Sequence, residues 1–284
     1  MATVAGLFVY PFKSARGIAV ASARLEATGL QWDRHWMAVD ESNKFITQRT
    51  QPQLARVVPE LTEDALVLNA PDMPVLRIPL QPSGDSLTVR IWNDTCTALD
   101  QGPAAAAWIS RALGLNSRIV RIAAPVDRVA NAKYAGPESV PVAFPDGFPI
   151  LVCNQASLDS LNARMPSSVP MERFRPNLVV NGLPEFAEDG IETLHIGEVT
   201  LRLVKPCTRC VIPSHDQRTG EPSTDPMPAL RSFRFNRELL GVTFGENAVV
   251  SAGIGSTLRR GAAFTAYPRS AGQKLTREMA PPES

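Results

Sequence analysis

Seven short apolar segments, each closed off by turn-forming residues, constrain this 284-residue chain more than any other feature. VAGLFVY, RHWMAVD, KFITQRT, ALVLNA, LTVRIW, NLVVNG and VTLRLV run for six or seven residues, are rich in Val, Ile, Leu, Thr and aromatics, and read as strands. The 25 prolines and 18 glycines lie scattered between such runs rather than pooled in one linker, which cuts the chain into many short elements. Helical periodicity is scarcer. PAAAAWISRALG sets Trp108, Ile109 and Leu113 between a proline start and Gly114; ASLDSLNARM carries Leu158, Leu161 and Met165 behind Ser157 as a cap; PALRSFRFNREL is a short, arginine-rich third. The pattern predicts a mainly β, α+β architecture with inserted helices, built as a barrel or as a pair of β-rich units. Periodicity fails over residues 121–140, so one unit is expected over 1–120 and another over 121–265, with a polar, loosely held tail over 266–284.

Hydrophobic residues at 44% and charged residues at 20% allow each unit a core of its own. Lys and Arg number 29 against 28 Asp and Glu, a net charge of +1, so the overall balance points to neither nucleic acid nor a membrane surface. The N-terminus has no basic leader region and its first apolar run breaks at Pro11; no stretch approaches the roughly 20 apolar residues of a membrane span. A water-soluble, cytoplasmic protein is expected. Its four cysteines, Cys96, Cys153, Cys207 and Cys210, are too few for a disulfide framework and read as thiols.

Lys205-Pro-Cys-Thr-Arg-Cys210 follows the strand VTLRLV and sets two thiols three positions apart. As half of a zinc site it lacks partners, because there is no second CxxC and His35, His195 and His215 are the only histidines. As a redox dithiol it should open a helix, yet Pro213 follows soon after. One thiolate could instead bind a soft transition metal, with Lys205 and Arg209 favouring the deprotonated form, or the pair could be inert in a turn. The motif alone leaves these readings open.

Other polar groups gather at strand ends as an anion site would require: Lys13 and Ser14 after Pro11; Arg34 after Asp33; Gln48 and Arg49 closing KFITQRT; Arg173, Arg175 and Asn177 leading into NLVV. Guanidinium groups offer bidentate contacts to phosphate and lysine a point charge, while Asn154 and Ser157 stand where a helix start would present backbone N–H groups. For each the bland alternative is a solvated surface group. Asp146 and Asp216 are possible acid–base groups on the same terms. No dinucleotide fingerprint, P-loop or nucleophile elbow occurs.

Six blocks, YPFKSARGI, DRHWMAVDESNKFITQR, ILVCNQASLDSLN, RFRPNLVVNG, CTRCVIPSHDQRTG and FGENAVV, together resemble the MOSC (molybdenum-cofactor sulfurase C-terminal) superfamily, in particular its YcbX-like bacterial reductases and mitochondrial amidoxime-reducing components. They occur in the family's order from about residue 5 to about residue 262. The resemblance implies an N-terminal MOSC β-barrel over 1–120 packed against a MOSC domain over 121–265, with a molybdenum cofactor (Mo-molybdopterin) between them. It implies Cys210 as the metal ligand, with Cys207 a neighbour and Asp216 a retained catalytic position. Cofactor contacts carry over to Lys13, Ser14, Arg34, Arg173, Arg175 and Asn177, and more weakly to Arg49, Asn154, Ser157 and Thr208.

The implied reaction is reductive cleavage of the N–O bond in small N-hydroxylated substrates. The alternatives within the superfamily are a persulfide carrier and a non-catalytic cofactor-binding module, and the superfamily also bears a general pyridoxal-phosphate-binding label. Two departures stand out. The loop after Cys210 reads Pro213-Ser-His-Asp-Gln-Arg-Thr-Gly220 where the family usually has a Val-Asp-Pro stretch, and no iron–sulfur domain follows, so electrons are expected from a separate ferredoxin-, flavoprotein- or cytochrome b5-like protein.

Overall fold

The computed structural model describes residues 1–269, and its fold is mainly β with short inserted helices, as the segment pattern predicts. The largest sheet orders its strands Thr265–Pro268, Ile191–Ile196, Val199–Thr208, Gly241–Ala252, Ile150–Asn154, Leu178–Asn181, Thr3–Val9 and Ile18–Ala19, with Phe235–Asn236 pairing off to one side. Neighbours are antiparallel except Ile150–Asn154 and Leu178–Asn181, which are parallel because the helix Gln155–Asn162 makes the crossover between them. Leu7, Val152, Leu178, Val180, Leu201 and Leu203 fill the core beneath this sheet. Each contributes about 2 kcal/mol by leaving water.

The second sheet is an antiparallel run of Trp36–Asp40, Ser117–Ile122, Asp94–Asp100 and Ser86–Ile91. Against it the helix Gly102–Leu113 buries Trp108, Ile109 and Leu113, and Gly114 closes the helix at φ 67°, a left-handed conformation that favours glycine. The first strand lies in the large sheet, with Leu7 opposite Leu178, while Ser22–Glu26 pairs with Thr257–Arg259. Hydrogen bonds thus tie the two ends of the described chain together. The segment after the first strand is carried along the junction between the sheets, where Lys13 N–H donates to the Trp36 carbonyl at 2.7 Å.

Several expected elements differ. KFITQRT forms no strand: Asn43 turns at φ 58°, the Asp40 carboxylate accepts the backbone N–H groups of Ser42 and Lys44, and only single bridges at Lys44 and Phe45 precede a turn at Gln48–Thr50. The strand VTLRLV runs further than expected, through Cys207 to Thr208, because Gly241–Ala252 pairs with it over that length. PALRSFRFNREL is helical only over Met227–Phe233, after which Phe235–Asn236 joins the sheet. Residues 266–268, expected in a loose tail, belong to the edge strand Thr265–Pro268 paired with Ile191–Ile196; the tail from 270 to 284 lies outside the described residues. No helix among the described residues is long and apolar enough to cross a membrane.

Candidate functional site

Three backbone segments converge where the sheets meet, and each holds a polar residue in an uncommon conformation. Ser14, Arg34 and Arg175 have φ of 66°, 51° and 56°. Non-glycine residues adopt this region at a cost of about 1–3 kcal/mol, tolerated where surrounding contacts over-determine the backbone. For Ser14 the fixing contact is its carbonyl, which accepts the Gln48 side-chain amide at 2.7 Å. For Arg34 it is a pair of backbone bonds, N–H to the Tyr10 carbonyl and carbonyl from Phe144 N–H. Arg175 ends the short helical turn Met171–Phe174.

The side chains so placed line a cavity of about 140 Å³. Of the twelve residues singled out from sequence, eight reach it: Lys13, Ser14, Arg34, Arg49, Arg175, Asn177, Thr208 and Cys210. Arg34 and Arg175 sandwich the buried Tyr10 ring, with guanidinium carbons 4.2 and 4.4 Å from its centroid. Arg34 also donates to Asp33 (2.5 Å), Asn177 (3.0 Å) and the Arg175 carbonyl (3.2 Å), and Asn177 accepts from Leu151 N–H, so one network orients both guanidinium groups. Burial pushes the Asp33 carboxyl above its ordinary range, with Arg34 opposing.

Asp146, an acid–base candidate with a solvated alternative in the sequence, stands at the cavity wall. Its carboxylate accepts Lys13 Nζ and Arg49 Nη2, each at 2.7 Å, and Lys13 also donates to the Phe144 carbonyl. Burial opposes the Asp146 charge, but the two cations outweigh it and hold the carboxyl well below the usual range. Burial lowers Lys13 to about 8 despite its partner. Arg49 faces Cys210 as well as Asp146; burial works against its charge and both neighbours restore it. Nothing in local sequence tells a solvated Asp-Gly turn from this clamp, since Lys13 arrives from 133 residues away.

Arg209 lines the cavity beside the two thiols. It donates to Cys207 Sγ at 3.0 Å and to the Phe174 carbonyl at 2.7 Å, while its buried Nε has no partner. Lys13, Arg34, Arg49, Arg175 and Arg209 set against Asp146 and Asp33 leave three positive charges around the cavity. Burial lowers Arg175 to about 10, and the neighbouring Arg34 charge acts in the same direction. An anionic ligand would relieve that excess, and the thiols add soft metal-ligating atoms. Among the described residues no group of three or more His, Cys, Asp or Glu side chains could hold a metal alone, so a metal here would need ligands from another molecule as well.

Four expected site residues do not line the cavity. Asn154, rather than Ser157, caps the helix Gln155–Asn162, accepting from Ala156 N–H, and its amide donates to the Pro184 carbonyl and to Glu188. Ser157 donates to the buried Glu188 carboxylate at 2.7 Å and accepts from Phe186 N–H; both residues clasp the turn Ala187–Gly190 instead of facing a ligand. Arg173 is 3% exposed and donates to the Pro213 carbonyl. Asp216 folds the next turn by accepting from Arg218 and Thr219 N–H groups, which makes it a loop-shaping rather than a cavity residue.

The altered loop after Cys210 has a definite structural use. The side-chain amides of Gln217 and Gln48, both buried, donate to each other at 3.1 Å, and Arg175 donates to the Gln217 oxygen at 3.2 Å. This clasp ties the loop to Gln48 on one side and to the cavity residue Arg175 on the other.

Two family models agree with this mainly β architecture. Residues 1–116 match the MOSC N-terminal beta barrel domain family and residues 140–265 the MOSC domain family. Human mitochondrial amidoxime reducing component 2 is 33% identical over 278 residues, spanning 91% of this chain and 83% of that protein. Mouse mitochondrial amidoxime-reducing component 1 is 33% identical over 244 residues, 82% of this chain and 71% of that protein. Among solved structures, the YUAD protein of Bacillus subtilis aligns over 95% of this chain and 97% of its own, with a TM-score of 0.42 and 10% identity.

Proposed function

The chain belongs to the MOSC family, within the group that includes the mitochondrial amidoxime-reducing components, and on that premise we propose that it is a molybdenum-cofactor-dependent reductase that cleaves the N–O bond of N-hydroxylated compounds. The observation that carries this reading is the convergence of the Cys210 thiol with five cationic side chains on one cavity. Lys13, Arg34 and Arg175 would hold the anionic pterin phosphate by point-charge and bidentate contacts, and Cys210 would ligate the metal. Cys207, engaged by Arg209, would stand beside it. When bound, the cofactor supplies the electron pair that breaks the bond.

The chain's own residues would do the rest. Two electrons and two protons convert the substrate to its reduced nitrogen base and water. Lys13, with a pKa of about 8, is charged at neutral pH, and Asp146 and the Phe144 carbonyl would orient its ammonium for the phosphate while the two protons come from solvent. Phe148, Phe174 and Ile212 exclude water from the cavity wall. Electrons would come from a separate ferredoxin-, flavoprotein- or cytochrome b5-like protein, and four free thiols suit a reducing compartment such as the cytoplasm.

The test is turnover of benzamidoxime to benzamidine by cofactor-loaded protein with a chemical electron donor. Wild type should turn over, and Cys210→Ser should not while keeping its circular-dichroism spectrum. Inactive loaded wild type, or an unimpaired variant, rejects the proposal.

A further inference from the structure

Trp92 occupies the tip of the hairpin joining Ser86–Ile91 to Asp94–Asp100, in a two-residue turn closed by the Ile91–Asp94 pair. Its φ is 54°, a conformation in which a bulky aromatic is an outlier and glycine would be the ordinary choice. It is also 47% exposed, while Trp36 and Trp108 are buried. A strained turn that presents a large apolar side chain to water gains nothing from core burial. Its surroundings identify another use.

The indole packs edge-to-face with Phe45, ring centroids 5.0 Å apart, and carries the Arg49 guanidinium 4.8 Å from its own ring. Lys13 Nζ lies 5.3 Å from the Phe45 ring. Arg49 and Lys13 are the two cations that clamp Asp146 at the cavity. Phe45 N–H donates to the Arg90 carbonyl and Arg90 N–H to the Asn43 carbonyl, so backbone bonds hold the two aromatics in register. The aromatic pair therefore forms a ledge immediately outside the cationic wall, with part of the indole open to solvent.

We infer that Trp92, backed by Phe45, is a specificity-determining residue: it stacks against the flat, apolar body of a substrate whose N–O group enters the cavity. The inference rests on the reductase reading and deepens it by naming the favoured substrates, aromatic amidoximes and hydroxylamines over small aliphatic ones. Aromatic stacking of this kind corresponds to about a 3- to 10-fold preference.

The test compares benzamidoxime with N-methylhydroxylamine, using cofactor-loaded enzyme and a chemical electron donor so that no protein partner enters the result. Trp92→Ala should lower the ratio of kcat/KM for benzamidoxime to that for N-methylhydroxylamine by about 3- to 10-fold, mainly through KM, and Trp92→Phe should restore most of it. An unchanged ratio, including an equal loss on both substrates, overturns the inference because Trp92 would then only support Arg49. A second readout needs no turnover: benzamidoxime should quench the tryptophan emission of wild type and not that of Trp92→Phe, and equal quenching in both overturns it. Wild type that is quenched yet reduces neither substrate refutes the reductase reading and leaves the ledge standing.

Discussion

Replacing Asp146 by Asn removes the one carboxylate that Lys13 and Arg49 share. At 2.7 Å two unit charges attract by about 6 kcal/mol in an effective dielectric of about 20. Most of that is offset, because Lys13 has been desolvated far enough to bring its pKa to about 8 and the Asp146 side chain is 50% exposed and screened. Breaking a fully buried pair costs about 3–5 kcal/mol, so about half, roughly 2 kcal/mol, is expected here. A double-mutant cycle in urea isolates the coupling. Asp146→Asn alone should lose about 2 kcal/mol by stranding the Lys13 ammonium, and adding Lys13→Met should make matters no worse, since the stranded charge is then gone. If the two substitutions add to within about 0.5 kcal/mol, the clamp contributes nothing and the argument for Asp146 fails.

Further outcomes follow from the same structure. His35 is lowered from 6.5 to about 4 by burial and by Arg121, so the unfolded chain binds the extra proton first as pH falls through that window; its contribution to stability should drop by about 3 kcal/mol between pH 6.5 and 4, read as a gap between wild type and His35→Asn that narrows on acidification. Gly220 sits at φ 77° with a would-be Cβ 2.4 Å from the Pro52 carbonyl oxygen; Gly220→Ala should cost about 2 kcal/mol, measurable as a lower urea midpoint, and an unchanged midpoint would mean the loop docks less tightly than described. Because Lys13 loses its charge near pH 8, cofactor uptake by cofactor-free wild type should weaken as pH rises past that value, while Lys13→Arg should stay flat in the same binding titration.

What could be read from sequence was what local pattern dictates. Trp108, Ile109, Leu113 and Gly114 announce their helix because spacing and cap lie within one short segment. Gly241–Ala252 does not read as a strand because glycine, glutamate and asparagine interrupt it; its buried Glu246 is met by Arg269, the last described residue, at 3.4 Å. The anion-binding reading of Asn154 and Ser157 failed for a related reason. A capped helix start looks the same in sequence whether a ligand or Glu188 meets it, and only folding brings Glu188 there. Lys13, Arg34, Arg175 and Cys210 stand out by residue type and by family blocks, and the fold brings them to one cavity. Their orientation depends on Asp33, Asn177 and Gln217, joined to them across the fold rather than along the chain.

The assignment of Cys210 as the metal-holding thiolate is tested most directly by metal content. Wild type, Cys207→Ala and Cys210→Ala, each purified from a host that makes the cofactor, would be analysed for molybdenum per folded chain. Wild type and Cys207→Ala should carry about one molybdenum each and Cys210→Ala almost none, since a single thiolate supplies the chain's bond to the metal. Molybdenum retained in full by Cys210→Ala, or lost only from Cys207→Ala, would contradict the account.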